Sequence, residues 1–157
     1  MLLGNLLLAL AWTALRGEFS LANLVAGLVF GYLILLSLVK GEVLPASPYI
    51  GRVHRAVSLA AFFFWELVRA NLRLALDVAT PRYQMKPGIL AIPLDATRDS
   101  EILLLAMLIN LTPGSVALDV SDDRKVMYVH VMYIDSPDAA RSEIKNGFER
   151  RVRQLLG

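Results

Sequence analysis

Leu21-Ala22-Asn23-Leu24-Val25-Ala26-Gly27-Leu28-Val29-Phe30-Gly31-Tyr32-Leu33-Ile34-Leu35-Leu36-Ser37-Leu38-Val39 contains no charged side chain. As a helix it reaches roughly 28 Å, close to the bilayer core of about 30 Å, so it reads as a membrane span. Before it, Met1 to Leu15 is uncharged apart from the terminus and reaches roughly 22 Å. Only Arg16-Gly17-Glu18-Phe19-Ser20 separates the two runs, which predicts a tight helical hairpin. The first run also has Ala9-Leu10-Ala11, a small-residue sequence of the kind found at secretory cleavage sites. A second apolar run follows at once, and no Lys or Arg precedes the first, so the signal-peptide reading is disfavoured.

The composition agrees with a chain divided between lipid and water. It is 56% hydrophobic over 157 residues, with a mean hydropathy of +0.54, too apolar for an ordinary soluble domain. Residues 1–78 hold 6 basic and 4 acidic side chains, whereas residues 79–157 hold 10 of each. The net charge of +2 forms no dense basic stripe, which argues against nucleic-acid binding. The absence of cysteine excludes disulfides, thiolate metal sites and cysteine nucleophiles.

Within the second run Asn23, Gly27 and Gly31 recur every four residues and share one helix face. Gly27 to Gly31 is a GxxxG pattern, which lets another helix backbone approach closely, and Asn23 can add an interhelical hydrogen bond. The expectation is that this face packs against a partner.

The linker Lys40 to Arg55 carries Gly41, Pro45, Pro48 and Gly51, so helix is expected to stop there. A third helix is expected over about 56–78. It is apolar from Ala56 to Trp65, after which Glu66, Arg69, Arg73 and Asp77 fall within about 80° of one another. It reads either as a third span with a charged cytoplasmic end, or as an amphipathic helix lying on the membrane surface. Pairing of Glu66 with Arg69 and of Arg73 with Asp77 favours a solvated or partner-facing rim over an ion path. In a three-span arrangement Lys40, Arg52 and Arg55 lie on one side. Arg16, Arg69, Arg73, Arg82 and Lys86 lie on the other, which puts the N-terminus outside and the C-terminal region in the cytoplasm. If the third segment does not cross, a cytoplasmic C-terminal region requires the N-terminus inside as well.

Pro81 and Pro87-Gly88 punctuate the exit from the third helix. Gly88 to Leu94 reads as a short strand, with Pro93 at its end or on an edge. Asp99 is the expected N-cap of a helix over Ser100 to Asn110. That helix is apolar on every side and too short to span, so it is buried or pressed on a membrane or a partner. Ser115 to Ser121 alternates, with Val116, Leu118 and Val120 opposite Ala117 and Asp119, as a half-buried strand should. Asp122-Asp123-Arg124 is a hairpin tip, Lys125 to Ile134 a second strand, and Ser136-Pro137 the start of a final helix. Ile144, Phe148, Val152 and Leu155 form its apolar face. The expected architecture is therefore a membrane α-helical region of two to three helices over 1–79, with helices at about 1–15, 21–39 and 56–78. A small α+β domain of order β-α-β-β-α follows over 87–157, on the cytoplasmic side.

No residues stand out as catalytic, cofactor-binding or metal-ligating. His54 and His130 have no partner at metal or catalytic spacing, and His130 reads as a packed or surface strand residue. Asp119, Asp122 and Asp123 lack the EF-hand pattern and read as turn chemistry. Asn110-Leu111-Thr112 fits the glycosylation pattern, which is accidental in a cytoplasmic domain. Neither of the first two spans contains Lys, Arg, Asp, Glu or His inside it, where an ion carrier places such groups.

Several of these features together resemble a known family. They are Asn5-Leu6-Leu7-Leu8-Ala9-Leu10-Ala11-Trp12, the Asn23/Gly27/Gly31 pattern, Glu66-Leu67-Val68-Arg69-Ala70-Asn71, and above all Ile109-Asn110-Leu111-Thr112-Pro113-Gly114-Ser115 followed by Tyr128-Val129-His130-Val131. Over nearly its whole length the chain resembles MrpE (also MnhE or PhaE), a small component of the multisubunit Mrp-type Na+/H+ antiporters of bacteria. Ser115 departs from the Thr of that motif, and Met132-Tyr133-Ile134-Asp135 is longer than the usual His-x-x-Asp ending. The resemblance implies a small non-catalytic subunit without cofactors. It would sit in the bacterial cell membrane beside the other Mrp antiporter subunits (A, B, C, D, F and G), of which A and D carry the ion paths. Two other readings stand beside it. One is a self-standing membrane-anchored binding or signalling module; the other is ion conduction through the Glu66/Arg69/Arg73/Asp77 stripe.

Overall fold

A computed structural model describes residues 1–80 and 85–157; Pro81 and Arg82, invoked above, lie outside the described residues. The chain divides into two compact units, Met1–His54 and Arg55–Gly157.

In the first unit α1 (Leu2–Arg16) and α2 (Leu21–Lys40) form an antiparallel hairpin. Gly17, at φ 70°, ends α1 in the left-handed conformation that glycine adopts without a Cβ penalty. The Ser20 hydroxyl then caps α2 by accepting from the Asn23 N–H at 3.2 Å. By length and composition α2 can cross a membrane, while α1 is a shorter apolar helix.

The third helix differs from expectation at its start. It runs unbroken over Pro48–Ala79 (α3), so the helix-free linker ends at residue 47 rather than at Arg55. Proline at the first helical position lacks only an N–H that would have no intrahelical partner there. The Ser47 hydroxyl accepts from the Tyr49 N–H at 3.3 Å. Ser47-Pro48 is thus a start signal, not a break.

The second unit joins the rest of α3 to a three-stranded antiparallel sheet of β1 (Gly88–Pro93), β2 (Ser115–Val120) and β3 (Val126–Val131), in the order β1-β3-β2. The helix α4 (Asp99–Leu111) connects β1 to β2 across one face of the sheet. The chain ends in α5 (Pro137–Ile144), a π turn (Lys145–Glu149) and α6 (Arg150–Leu156), which run on as one helix. Leu90, Ile92, Met127 and Val129 from the sheet pack with Leu105 and Ile109 of α4, with Phe148 and Val152, and with Leu59 of α3. Burial of this apolar area is the main force holding the unit together.

Four local readings change. Arg98, not Asp99, is the N-cap of α4; the Glu101 carboxylate turns back to accept from the N–H groups of Thr97 and Arg98. The β3 strand is shorter than Lys125 to Ile134. In β2 the core-facing residue is Ala117, while Val116 and Leu118 point outward. A bulge between Ala117 and Asp119 reverses the alternation, so Val120 returns to the core side. Finally, α4 is not enclosed all round: Ile102, Leu105, Leu108 and Ile109 are buried, but Leu103, Met107 and Leu111 are exposed.

Both sheet edges are covered by side chains. Arg141 and Lys145 donate to the Ala91 and Pro93 carbonyls of β1, and the Ala117 N–H of β2 donates to Asn110 Oδ1. Occupied edges do not recruit a further strand.

Candidate functional site

Two arrangements occupy the residues singled out by sequence, and a third lies outside them. The first is the hairpin seam. Gly27 lies on the α1 backbone, where an added Cβ would come 2.8 Å from Ala9 Cα. Gly31 lies on Asn5 and Leu8, and an added Cβ would overlap Asn5 Oδ1. The GxxxG face is therefore filled by the chain's own first helix, through Asn5, Ala9 and Thr13, all buried and four residues apart. That second small-residue stripe was present in the sequence, hidden among leucines. Asn23 does not bridge the helices; its side-chain amide donates to the Glu18 carbonyl at 3.0 Å and secures the turn. The interhelical polar group is instead Asn5, which donates to the Tyr49 hydroxyl at 2.6 Å. Tyr49 also meets Tyr32 edge to face.

The second arrangement is the charged stripe of α3. Glu66 pairs with Arg69 at 3.5 Å, as the i,i+3 spacing predicts. Arg69 also donates to Glu143 at 3.0 Å. Arg73 pairs with Asp135 at 3.5 Å and covers the Tyr133 ring at 4.3 Å. The expected Arg73–Asp77 pair is absent from the ion pairs of the described residues. Asp77 is buried, and its carboxylate holds the Tyr133 phenol above its ordinary value. Arg69 and Arg73 stay half-exposed, and their ion pairs with Glu143 and Asp135 join α3 to the unit's own α+β part. Further up the helix, Phe62 packs edge to face on Phe148 and lies under the Arg151 guanidinium at 3.9 Å. Gly147 makes room for it, since a Cβ there would come 2.9 Å from the Phe62 ring.

The structure also joins two features that the sequence offered separately. A cavity of about 140 Å³ is lined by Glu66, Arg69 and Arg73 on one side and by Thr112, Pro113 and Gly114 on the other. Gly114, at φ 89°, needs the conformational freedom of glycine. The Ser115 hydroxyl closes the turn by donating to the carbonyls of Ile109 and Thr112, a role open to either Ser or Thr. Leu111 and Asp77 do not line this cavity.

The third arrangement, missed from sequence, centres on Glu149. It is fully buried and accepts from the Asp95 and Ala96 N–H groups, with Lys145 at 3.3 Å. This carboxylate holds the β1–α4 loop; its only sequence signal was Lys145 four residues earlier. At the β2–β3 tip, Asp123 accepts from the Ser121 hydroxyl and the Lys125 N–H. The Ser121 hydrogen bond, more than the backbone one, holds its carboxyl below the usual range. His130 sits on the outer sheet face opposite Ile89 and Val116.

A hairpin of two apolar helices, one long enough to cross a membrane, precedes a small three-stranded α+β unit, an arrangement that fits a membrane-associated protein whose polar residues build contacts. The profile of the family described as Na+/H+ ion antiporter subunit (MNHE) matches residues 5–155. The chain is 34% identical to the E1 subunit of the Na(+)/H(+) antiporter of Staphylococcus epidermidis over 151 residues, covering 96% of this chain and 94% of that one. It is 32% identical to the corresponding E subunit of Bacillus subtilis at the same coverage. The chain belongs to the MnhE family of Na+/H+ antiporter subunits. Among solved structures it is similar to a chain of the membrane-bound sulfane sulfur reductase, an archaeal respiratory membrane complex. That match is 26% identical, covers 99% of this chain and 98% of the other, and has a TM-score of 0.59. A chain of the Mrp complex of Dietzia sp. DQ12-45-1b is 23% identical, with 66% and 96% coverage and a TM-score of 0.50, a likeness of fold.

Proposed function

We propose that this chain is an accessory subunit of a multisubunit cation/proton antiporter in the bacterial cell membrane, supporting assembly while the large subunits move Na+ and H+. The observation that carries this reading is that the candidate polar features are used internally. The glycine face is filled by α1, and the charged stripe is tied to Glu143, Asp135 and Tyr133. Beside its charged surface the unit also presents two apolar patches. Ile89, Val116, Leu118 and Tyr128 form an exposed sheet face, and Leu103, Met107 and Leu111 an exposed helix face. Such surfaces suit neighbouring proteins, here the other Mrp antiporter subunits (A, B, C, D, F and G).

The packing of α3 supports a two-pass topology. From Leu59 to Asp77 its charged side packs on the α+β unit, whose surface is rich in Arg, Lys, Asp and Glu. A helix flanked in this way does not traverse hydrocarbon. The chain then crosses the membrane twice, with both termini and the α+β unit in the cytoplasm. Lys40, Arg52 and Arg55 fall inside and only Arg16 outside, a stronger positive-inside bias than the three-span arrangement has.

A second reading draws on the fuller structural likeness to the sulfane sulfur reductase chain: membership of a respiratory membrane complex built on the same module. One experiment separates the readings. The tagged chain is purified in mild detergent and its companions are identified by mass spectrometry. Recovery with the other antiporter subunits is the expected result. Recovery with redox subunits selects the second reading, and a monodisperse chain alone contradicts both.

A further inference from the structure

We infer that the outward face of α3 from Val57 to Ala79 lies on the surface of a lipid bilayer, so that this helix rests on the membrane and does not cross it. Val57, Phe64, Trp65, Val68, Leu72 and Leu76 fall within about 120° of one another at 100° per residue. All six are exposed, from 38% at Val68 to 66% at Phe64 and Leu76. Ala61, Ala75 and Ala79 share this arc, and from Val57 to Ala79 it contains no charged residue. The opposite arc holds Leu59, Phe62, Glu66, Arg73 and Asp77, all turned to the α+β unit. Ser58 is the one polar residue on the arc, and Trp65, Val68, Leu72 and Leu76 also form one wall of an open cleft whose other wall includes Tyr133, Asp135 and Ala139. A side so largely apolar is not left in water without cost.

Lipid is the occupant for two reasons. The chain leaves its membrane span at Lys40 and starts α3 at Pro48, so the stripe continues directly from a segment already in the bilayer. Trp65 lies on the stripe, and tryptophan favours the headgroup level. An interfacial helix of this type sinks its apolar face about 5–10 Å into the headgroup and acyl boundary.

The proposal rests on the two-pass reading, and its test is independent of which subunits co-purify. The chain has no cysteine, so Val68→Cys and Leu72→Cys can each carry a single environment-sensitive fluorophore, with Asp122→Cys at the β2–β3 tip as a water-exposed reference. The full chain, with whatever subunits accompany it, is reconstituted into vesicles of phosphatidylethanolamine and phosphatidylglycerol. Lipids carrying a nitroxide at the headgroup or deep in the acyl chain are included in parallel samples. The probes at 68 and 72 are expected to lose most of their emission to the headgroup nitroxide and little to the deep one, while the probe at 122 loses none. Stronger loss to the deep nitroxide means a spanning helix and overturns the proposal. No loss to either means water or a protein neighbour on the stripe, and overturns it equally.

Discussion

Each unit buries a polar side chain at its tightest point, and the two do so by different means. In the hairpin, Asn5 makes one hydrogen bond, to Tyr49, and its Oδ1 is buried without a partner. In the α+β unit, Glu149 accepts two backbone N–H groups and sits beside Lys145. The contrast follows from the solvent. Two helices in lipid gain nothing from burying leucine against leucine, so the hairpin depends on close backbone approach at Gly27 and Gly31. The α+β unit gains from burying apolar area in water, and a buried charge is tolerated there because it organises a loop.

The comparison can be broken most severely at the seam. Gly27→Leu with Gly31→Leu should open the hairpin, since each side chain inserted into a packed seam costs about 1–3 kcal/mol. The expected outcome is loss of full-length protein from the membrane fraction, read by immunoblot. A sharper version uses single methyl groups. Gly31→Ala meets a movable side chain and should be partly rescued by Asn5→Ala, whereas Gly27→Ala meets the Ala9 backbone and should not be. Equal rescue at both positions would contradict the described packing.

In the other unit, Glu149→Ala strands two backbone donors at a cost of about 1–3 kcal/mol each. The denaturation midpoint of the α+β unit should fall, and substitution at the seam should leave that midpoint in place. Tyr133 gives a smaller, pH-dependent effect. Its phenol is raised above the ordinary value, chiefly by the neighbouring Asp77 carboxylate. A raised folded-state value contributes stability that is fully present below about pH 10 and lost as pH rises through the folded value. Tyr133→Phe should remove that alkaline loss from the stability-against-pH curve, and Asp77→Asn should move tyrosinate absorbance toward the ordinary range. Smallest of all, Arg124→Ala breaks an exposed pair with Asp99 and should change stability by less than about 1 kcal/mol.

The hairpin and the glycine face were legible because uncharged length and four-residue spacing are local properties; the expected division after residue 79 was not, since α3 from Arg55 onward packs with the α+β unit. The partner of the glycine face was not: Asn5, Ala9 and Thr13 lie within a leucine-rich run that offers several equivalent faces. Ser47-Pro48 read as a break because serine and proline mark both loop ends and helix starts. The β2 alternation misled because a bulge at Leu118 leaves no mark in apolar patterning. The stripe on α3 was legible as a stripe, but its acceptors, Glu143 and Asp135, lie over sixty residues away in sequence. The same distance hid the joining of the stripe to Thr112-Pro113-Gly114.

The two-pass hairpin is tested most directly by its sidedness. Single cysteines introduced at Ser20, Ser47 and Gly157 are exposed to a membrane-impermeant maleimide in intact protoplasts and in inverted vesicles. Labelling of position 20 only from outside, and of positions 47 and 157 only in inverted vesicles, is the result expected of two crossings with a cytoplasmic α+β unit. Labelling of position 47 from outside and of positions 20 and 157 from inside would mean that α3 crosses the membrane, and would contradict it.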